Sequence, residues 1–258
     1  AAVLAYLAVP RAAPLLVIVE DGVKDGLQAL WGAITEPAAL HALWLTLWTA
    51  AIMAVVNAAM GTLVAYVLVR YDFPGRRFVD AMIDLPLATP TLVTGVMLVA
   101  LYGPQTALGG WLRRDVGFPI IYAPPGIVLA LLFLSLPLVV RAVQPVLQDL
   151  DREPEDAAAT LGASAFTVFR RVTLPALRAP VATGTLLAFA RALGEFGSIV
   201  IVAGNIPLRT QTAAVYVLGE VESDNRRAAS AMSLALLAVT FALFLIIDWR
   251  TRRRTEAP

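Results

Sequence analysis

The sequence predicts an all-α polytopic membrane protein with six transmembrane helices, and two observations lead to this prediction. First, 59% of the 258 residues are hydrophobic and only 15% are charged, whereas an average soluble domain is about 45–50% apolar and about 25% charged. The excess apolar side chains need lipid to cover them. Second, they occur in stretches of about 20 residues, the length that an α-helix needs to cross a bilayer.

Six stretches reach this length. The five clear ones are, approximately, His41–Val69, Phe78–Leu101, Gly126–Leu147, Pro180–Ala203 and Ala228–Trp249. The sixth, Ala1–Val19, is interrupted by two prolines and one arginine, which a helix tolerates where it packs against protein. Because the chain begins with Ala1 rather than Met, we expect its native start to be missing. We treat residues 1–258 as a single membrane domain.

The distribution of Lys and Arg predicts which connections face the cytoplasm, because cytoplasmic loops carry an excess of these residues. If both termini are inside, twelve basic residues lie in cytoplasmic segments: Arg70, Arg76, Arg77, Arg141, Arg152, Arg170, Arg171, Arg178, Arg250, Arg252, Arg253 and Arg254. Six lie in the opposite loops: Lys24, Arg113, Arg114, Arg209, Arg226 and Arg227. This excess favours both termini on the cytoplasmic side.

Composition also argues against several kinds of function. The net charge of +1 gives no reason to expect a nucleic-acid partner. Cysteine is absent and His41 is the only histidine, so we expect no disulfide, no catalytic thiol and no metal site. The sequence has no Gly-rich phosphate-binding loop with Lys-Ser/Thr, and we therefore expect no ATP binding or hydrolysis, no cofactor and no catalytic residue in this chain.

The long cytoplasmic loop at about residues 148–179 contains two short predicted helices. Pro154 suits the first turn of the first helix, and acidic residues beside it suit its positive N-terminal end: Glu153, Glu155 and Asp156. Three alanines continue this helix with high propensity, and Gly162 can end it in a left-handed conformation. Ser164 is placed to cap the second helix, whose apolar side consists of Ala165, Phe169 and Val172.

The first of these two helices has a small, alanine-rich surface outside the membrane and lies between two spans. Such an element has little hydrophobic reason to exist alone. We therefore expect it to insert into a groove on another protein, as amphipathic helices commonly do in peptide recognition. An ordinary amphipathic loop is the alternative interpretation. Pro175 and Pro180 predict a kinked return of the chain into the bilayer.

The same loop resembles the EAA loop of bacterial ABC-importer permeases, in which Glu-Ala-Ala is followed after three residues by Gly and, nine residues later, by Ile-x-Leu-Pro. Here Asp156–Ala158 precede Gly162 at this spacing, and Val172–Pro175 follow. Asp replaces Glu and Val replaces Ile. The resemblance implies an ABC type I importer fold and a helix that contacts a separate ATPase through Asp156, Ala157, Ala158, Gly162, Ala163, Ser164, Leu174 and Pro175.

Three further segments, Ile83–Gln105, Leu136–Glu153 and Ala190–Thr212, resemble the sulfate/thiosulfate permeases, in particular the subunit usually called T. Molybdate permeases share the broader pattern. This resemblance runs from about Trp31 to Trp249. It implies a second permease subunit, identical or homologous, together with two ATPase subunits that hold ATP and Mg²⁺ and a periplasmic anion-binding protein.

Ionisable residues within spans are the first candidates for the path of an anion, because a dianion in hydrocarbon costs tens of kcal/mol by Born estimates. Arg191 and Glu195 stand four residues apart on one predicted helix face, and the small residues Gly194, Gly197 and Ser198 surround them. Arg191 could line the path and offset anionic charge. Alternatively, the two residues form an intrahelical ion pair that neutralises itself and holds the helix in place.

Two other classes of function are weaker interpretations. An intramembrane enzyme would need a nucleophile paired with a base, and no span contains such a pair. A passive channel or secondary transporter would work without an ATPase and would not need the alanine-rich helix. Within the permease family, a molybdate or tungstate importer is the nearest alternative to a sulfate importer.

Overall fold

The computed structural model describes residue 13 and residues 16–24 and 26–255. Within this part of the chain the protein consists of helices and turns, without a β-strand. Residues 16–23 are helical, and twelve further helices follow: α1 Leu27–Ile34, α2 Pro37–Arg70, α3 Arg76–Ala88, α4 Thr91–Tyr102, α5 Ala107–Arg114, α6 Pro124–Asp149, α7 Glu153–Thr160, α8 Ala165–Ala176, α9 Arg178–Leu193, α10 Gly197–Ala203, α11 Ala213–Glu222 and α12 Arg226–Thr255.

Helix α2 is the longest helix and packs along α6. Its small residues let the two backbones approach closely: a Cβ added at Gly61 would lie 2.8 Å from the Cβ of Val139. Asn57 Nδ2 also donates to the carbonyl of Leu132 across this contact, at 3.2 Å. Gly61 and Asn57 therefore serve the packing of α2 on α6. The main hydrophobic core lies between α2, α6 and α9, with buried residues such as Leu45, Met53, Leu68, Ile127, Val140 and Ala188.

The predicted span Phe78–Leu101 is wrong as one continuous helix, because α3 and α4 meet at an angle of 112°. Pro90 causes the break: a proline disfavours the helical conformation in the residue before it, and Thr89 is extended with φ −90° and ψ 129°. Pro86, in contrast, lies inside α3.

The predicted span Pro180–Ala203 is also interrupted. It comprises α9 and α10, which are separated by Gly194, Glu195 and Phe196. Before it, α8 and α9 are bent by 72° around Leu177, between the two prolines that predicted a kinked return into the bilayer. The prediction of a kink is confirmed, whereas the prediction of a single helix from Pro180 to Ala203 is wrong.

Among the described residues, three helices are long and apolar enough to cross a membrane: α2, α6 and the segment Arg226–Leu243 of α12. Counting each bent pair, α3–α4 and α8–α9, as one span gives up to five. Most of the predicted sixth span, Ala1–Val19, lies outside the described residues. The chain is therefore a multi-span helical membrane protein.

Candidate coupling loop and charged sites

Helix α7 has the boundaries that local sequence signals predicted. Pro154 lies in its first turn, and Gly162 follows its last turn with φ +85°. The Gly162 N–H donates to the Ala159 carbonyl at 2.9 Å, and the Ala163 N–H donates to the Ala158 carbonyl at 3.1 Å. These two bonds form a Schellman motif, which satisfies carbonyls at the end of the helix.

Helix α8 begins as predicted, but its buried side differs from the prediction. Ser164 Oγ accepts a hydrogen bond from the Thr167 N–H at 3.3 Å, which confirms the predicted cap. The residues Phe169–Thr173 then form a π turn, in which each turn holds an extra residue. This shifts the helical period, so Val168 and Thr173 are buried, whereas the predicted apolar residues are half-buried or exposed: Phe169, Val172 and Ala165.

The surface that α7 and the start of α8 present is small-sided and partly apolar. Asp156 and Ala157 are exposed, and Ala158 and Ala163 are half-buried. Two larger apolar side chains project from the same region: Leu161 is 89% exposed and Phe166 is 71% exposed. Leu174 and Pro175, in the last turn of α8, are half-buried. Leu161 and Phe166 were not predicted from the sequence, although large apolar residues beside a predicted docking helix are a usable signal.

Glu155 anchors α7 to the end of α2, which the sequence analysis also missed. Its Oε1 accepts hydrogen bonds from Arg70 Nη2 at 3.1 Å and from Thr173 Oγ1 at 2.9 Å. Arg152, directly before α7, donates from Nη2 to the Val69 carbonyl at 3.3 Å. These contacts hold α7 beside the Arg70 end of α2.

Arg191 and Glu195 form the ion pair that their spacing predicted, with 3.1 Å between Arg191 Nη1 and Glu195 Oε2. Glu195 lies beyond the last residue of α9, however, and not on a continuous helix face. Its Oε1 accepts from the Ser198 N–H at 3.1 Å and from Ser198 Oγ at 3.0 Å, at the start of α10. The carboxylate is buried, whereas the guanidinium is partly exposed.

The glycines of this interrupted span have different roles. A Cβ added at Gly197 would lie 2.2 Å from Thr91 Oγ1, so this glycine permits the close contact between α10 and α4. Gly194 is exposed at the end of α9. The structure therefore brings together all five residues that were predicted to lie near the path.

A second charged cluster, which the sequence analysis did not predict, joins α3 to α6. Arg141 Nε and Nη2 donate to the two carboxylate oxygens of Asp84, at 2.8 Å and 2.7 Å. Arg141 also donates from Nη1 to Asp80 Oδ1 at 2.6 Å and to Gln144 Oε1, and from Nη2 to the Asp80 carbonyl at 2.8 Å. All five N–H donors of this guanidinium are used. Asp84 makes this contact from within α3.

Solved structures of ABC importers share this arrangement of helices. A bacterial ABC transporter involved in the import of the acidic polysaccharide alginate superposes with a TM-score of 0.80 at 14% identity, over 98% of this chain and 93% of that chain. The MetNI methionine ABC transporter, in an inward-facing conformation, gives a TM-score of 0.60 at 16% identity, over 83% of this chain and 94% of that chain. The fold is therefore that of the membrane subunit of an ABC importer.

Sequence comparison gives the family. Residues 57–255 match the family described as "Binding-protein-dependent transport system inner membrane component". The chain is 41% identical over 246 residues to the "Probable sulfate transport system permease protein cysT" of Nephroselmis olivacea, covering 95% of this chain and 86% of that protein. It is 42% identical over 243 residues to the "Sulfate transport system permease protein CysT" of a Synechocystis strain, covering 94% and 85%. The chain belongs to this family of transport-system membrane components.

Proposed function

We propose that this chain is the permease subunit of an ATP-driven importer for sulfate or thiosulfate. The observation that carries the proposal is the identity of about 40% to sulfate permeases over most of the chain, together with a projecting helix, α7, that matches the expected docking element. In the assembled importer, a second permease subunit completes the path, two ATPase subunits supply energy, and an anion-binding protein delivers the substrate.

In this proposal α7 inserts into a groove on the ATPase. The alanine side chains of α7 permit a close approach of the two backbones, while Asp156 and the exposed Leu161 and Phe166 add one charged and two apolar contacts. The Schellman turn at Gly162 and Ala163 and the cap at Ser164 fix the direction of the chain between the two helices. Leu174 and Pro175 lead α8 towards the bend before α9. ATP and Mg²⁺ are bound by the partner and not by this chain.

We further propose that both termini and α7 face the cytoplasm. The excess of basic residues on that side supports this orientation. The hydrogen bonds from Arg70 and Arg152 join the ends of α2 and α6 to α7 at one end of the molecule, so the proposal assigns all three to the same side of the membrane.

The proposed path passes the interruption between α9 and α10. The pair of Arg191 and Glu195 is neutral overall, so the guanidinium can attract a dianion without holding it as an isolated desolvated cation would. Gly194 is exposed and adds little bulk beside the pair, whereas Gly197 and Ser198 are buried at the start of α10. We expect Arg191→Gln to reduce uptake while the complex still assembles; normal uptake in an assembled variant would remove Arg191 from the path.

The proposal is tested by reconstituting the chain with its ATPase, partner permease and binding protein in proteoliposomes. We expect ATP-dependent uptake of radiolabelled sulfate, and ATP hydrolysis that rises when the binding protein carries sulfate or thiosulfate. Uptake by the chain alone, without the ATPase, would indicate a channel or a secondary transporter. Uptake of molybdate in preference to both sulfate and thiosulfate would indicate a molybdate or tungstate importer instead.

A further inference from the structure

One carboxylate joins three helices at the Arg70 end of α2. Glu155, on α7, accepts from the guanidinium of Arg70, the last residue of α2, and from the hydroxyl of Thr173, in the π turn of α8. The exposed fractions of the Glu155 and Arg70 side chains are 11% and 6%, and Thr173 is fully buried. Charged and polar groups from three elements therefore meet where little solvent reaches them.

Helix α7 has few other attachments to the part of the chain that the structure describes. None of its residues is fully buried, and among the described residues it packs mainly against the first turn and the π turn of α8. The hydrogen bond from Arg152 to the Val69 carbonyl is long, at 3.3 Å. Glu155 is therefore the principal contact through which the position of α7 determines the position of α2.

We propose that Glu155, Arg70 and Thr173 form a joint that transmits displacement of α7 to α2. The proposal rests on the function proposed above, in which α7 contacts the ATPase. Removing one partner of a buried ion pair leaves an uncompensated charge, so the carboxylate and the guanidinium move together and do not separate. Glu155 and Arg70 are positioning residues, which touch neither ATP nor the transported anion.

A second contact, between two aromatic rings, supports the same coupling. Phe169, at the start of the π turn, packs edge-to-face on Tyr66 of α2, with 4.8 Å between ring centroids. The π turn thus places Phe169 against α2 and Thr173 against Glu155. In a regular α-helix, which has one residue fewer per turn here, Phe169 and Thr173 would point in different relative directions, and the two contacts could not form together.

The test measures sulfate uptake and ATP hydrolysis together in proteoliposomes containing the complete complex. Glu155→Gln and Arg70→Gln each remove one charge, and Thr173→Val removes one hydrogen bond with little change of shape. For the two charge variants we expect the ATP hydrolysed per sulfate imported to rise at least about fivefold, the lower end of typical coupling between sites. Thr173→Val should give a smaller rise. The double variant Glu155→Arg/Arg70→Glu should recover part of the coupling.

The matched control is Arg76→Gln, because Arg76 pairs with Asp72 on an exposed surface near the same end of α2. The ratio of ATP hydrolysed to sulfate imported should be the same in this variant as in the wild type. An unchanged ratio in charge variants that assemble would overturn the joint, and so would a parallel fall of uptake and hydrolysis, which would indicate destabilisation alone. If the charge variants do not assemble, an unchanged ratio in Thr173→Val would overturn it. A wild-type complex that couples no hydrolysis to uptake would overturn the proposed function itself.

Discussion

Two arginines on long helices hold short helices in place, and they do so in opposite ways. Arg70 is 6% exposed, and among the described residues it makes one ion pair, with Glu155, and one long hydrogen bond, to the Leu150 carbonyl at 3.4 Å. Its buried Nε has no hydrogen-bond partner in this part of the chain. Arg141 is 31% exposed and uses all five donors, on two aspartates and one glutamine. The first arginine anchors α7 and the second anchors α3.

The difference shows that burial and the number of hydrogen bonds are separate sources of stability. A buried charge depends on its one counter-charge, because water cannot replace that counter-charge once it is lost. A half-exposed network has more hydrogen bonds, yet water can compensate for each loss and salt weakens its charge interactions. We therefore expect Arg70 to be the less tolerant site, although Arg141 has more contacts.

The largest effect is expected for Glu155→Ala. This change leaves the buried Arg70 without a counter-charge, and removing one partner of such a pair destabilises a protein by about 3–5 kcal/mol. The free energy of unfolding of the purified chain in detergent, measured by denaturant titration, checks this value. A loss below about 1 kcal/mol, the range of exposed pairs, would show that water reaches Arg70 when Glu155 is removed.

A smaller effect, and one that depends on salt, is expected for Arg141→Gln. Hydrogen bonds to charged groups contribute about 1.5–3 kcal/mol, and partial exposure of this cluster should reduce the loss to about 1–2 kcal/mol. The loss should shrink as salt is raised, since ions screen exposed charges. The same denaturant titration at low and high salt checks both points; a loss that is independent of salt would contradict the distinction between the two arginines.

Lysine substitutions compare the two sites through geometry. Arg141 binds Asp84 through two N–H groups, which an ammonium group cannot reproduce, so Arg141→Lys should lose about 1 kcal/mol or more. Arg70 offers Glu155 a single N–H group, and a lysine can replace it while removing the unpartnered Nε. In parallel denaturant titrations, Arg70→Lys should therefore lower the free energy of unfolding less than Arg141→Lys does. The reverse order would indicate that the shape of the guanidinium matters more at Arg70.

The sequence predicted α7 well because its signals are local. Pro154, Gly162 and Ser164 each act within a few residues, through a fixed φ, a left-handed turn and a side-chain cap. The five path candidates lie close together in the structure because they are near neighbours along the chain; their place on a path stays a prediction. Local signals did not reveal that Glu155, assigned only to the helix terminus, would bind a guanidinium 85 residues away.

Long-range partners and broken spans could not be predicted from residue types alone. Arg141 lies 57 residues from Asp84, and no local pattern selects this pair from the other charges of the chain. Pro86 and Pro90 look equivalent in an apolar segment, yet only Pro90 separates two helices. Glu195 was expected on a helix face because its spacing to Arg191 fits a helix, but α9 ends at Leu193.

The smallest effect is expected for Arg76→Gln, which removes a pair of the ordinary surface kind. Arg76 Nη1 lies 2.6 Å from Asp72 Oδ1, but the carboxylate is almost fully exposed. Exposed pairs four residues apart contribute about 0.3–0.5 kcal/mol, so this variant should unfold within about 0.5 kcal/mol of the wild type. A short distance then has little energetic weight where water is present, and the longer 3.1 Å contact of Arg70 should prove several times stronger. Equal losses at the two sites would mean that distance, and not burial, ranks the ion pairs of this protein.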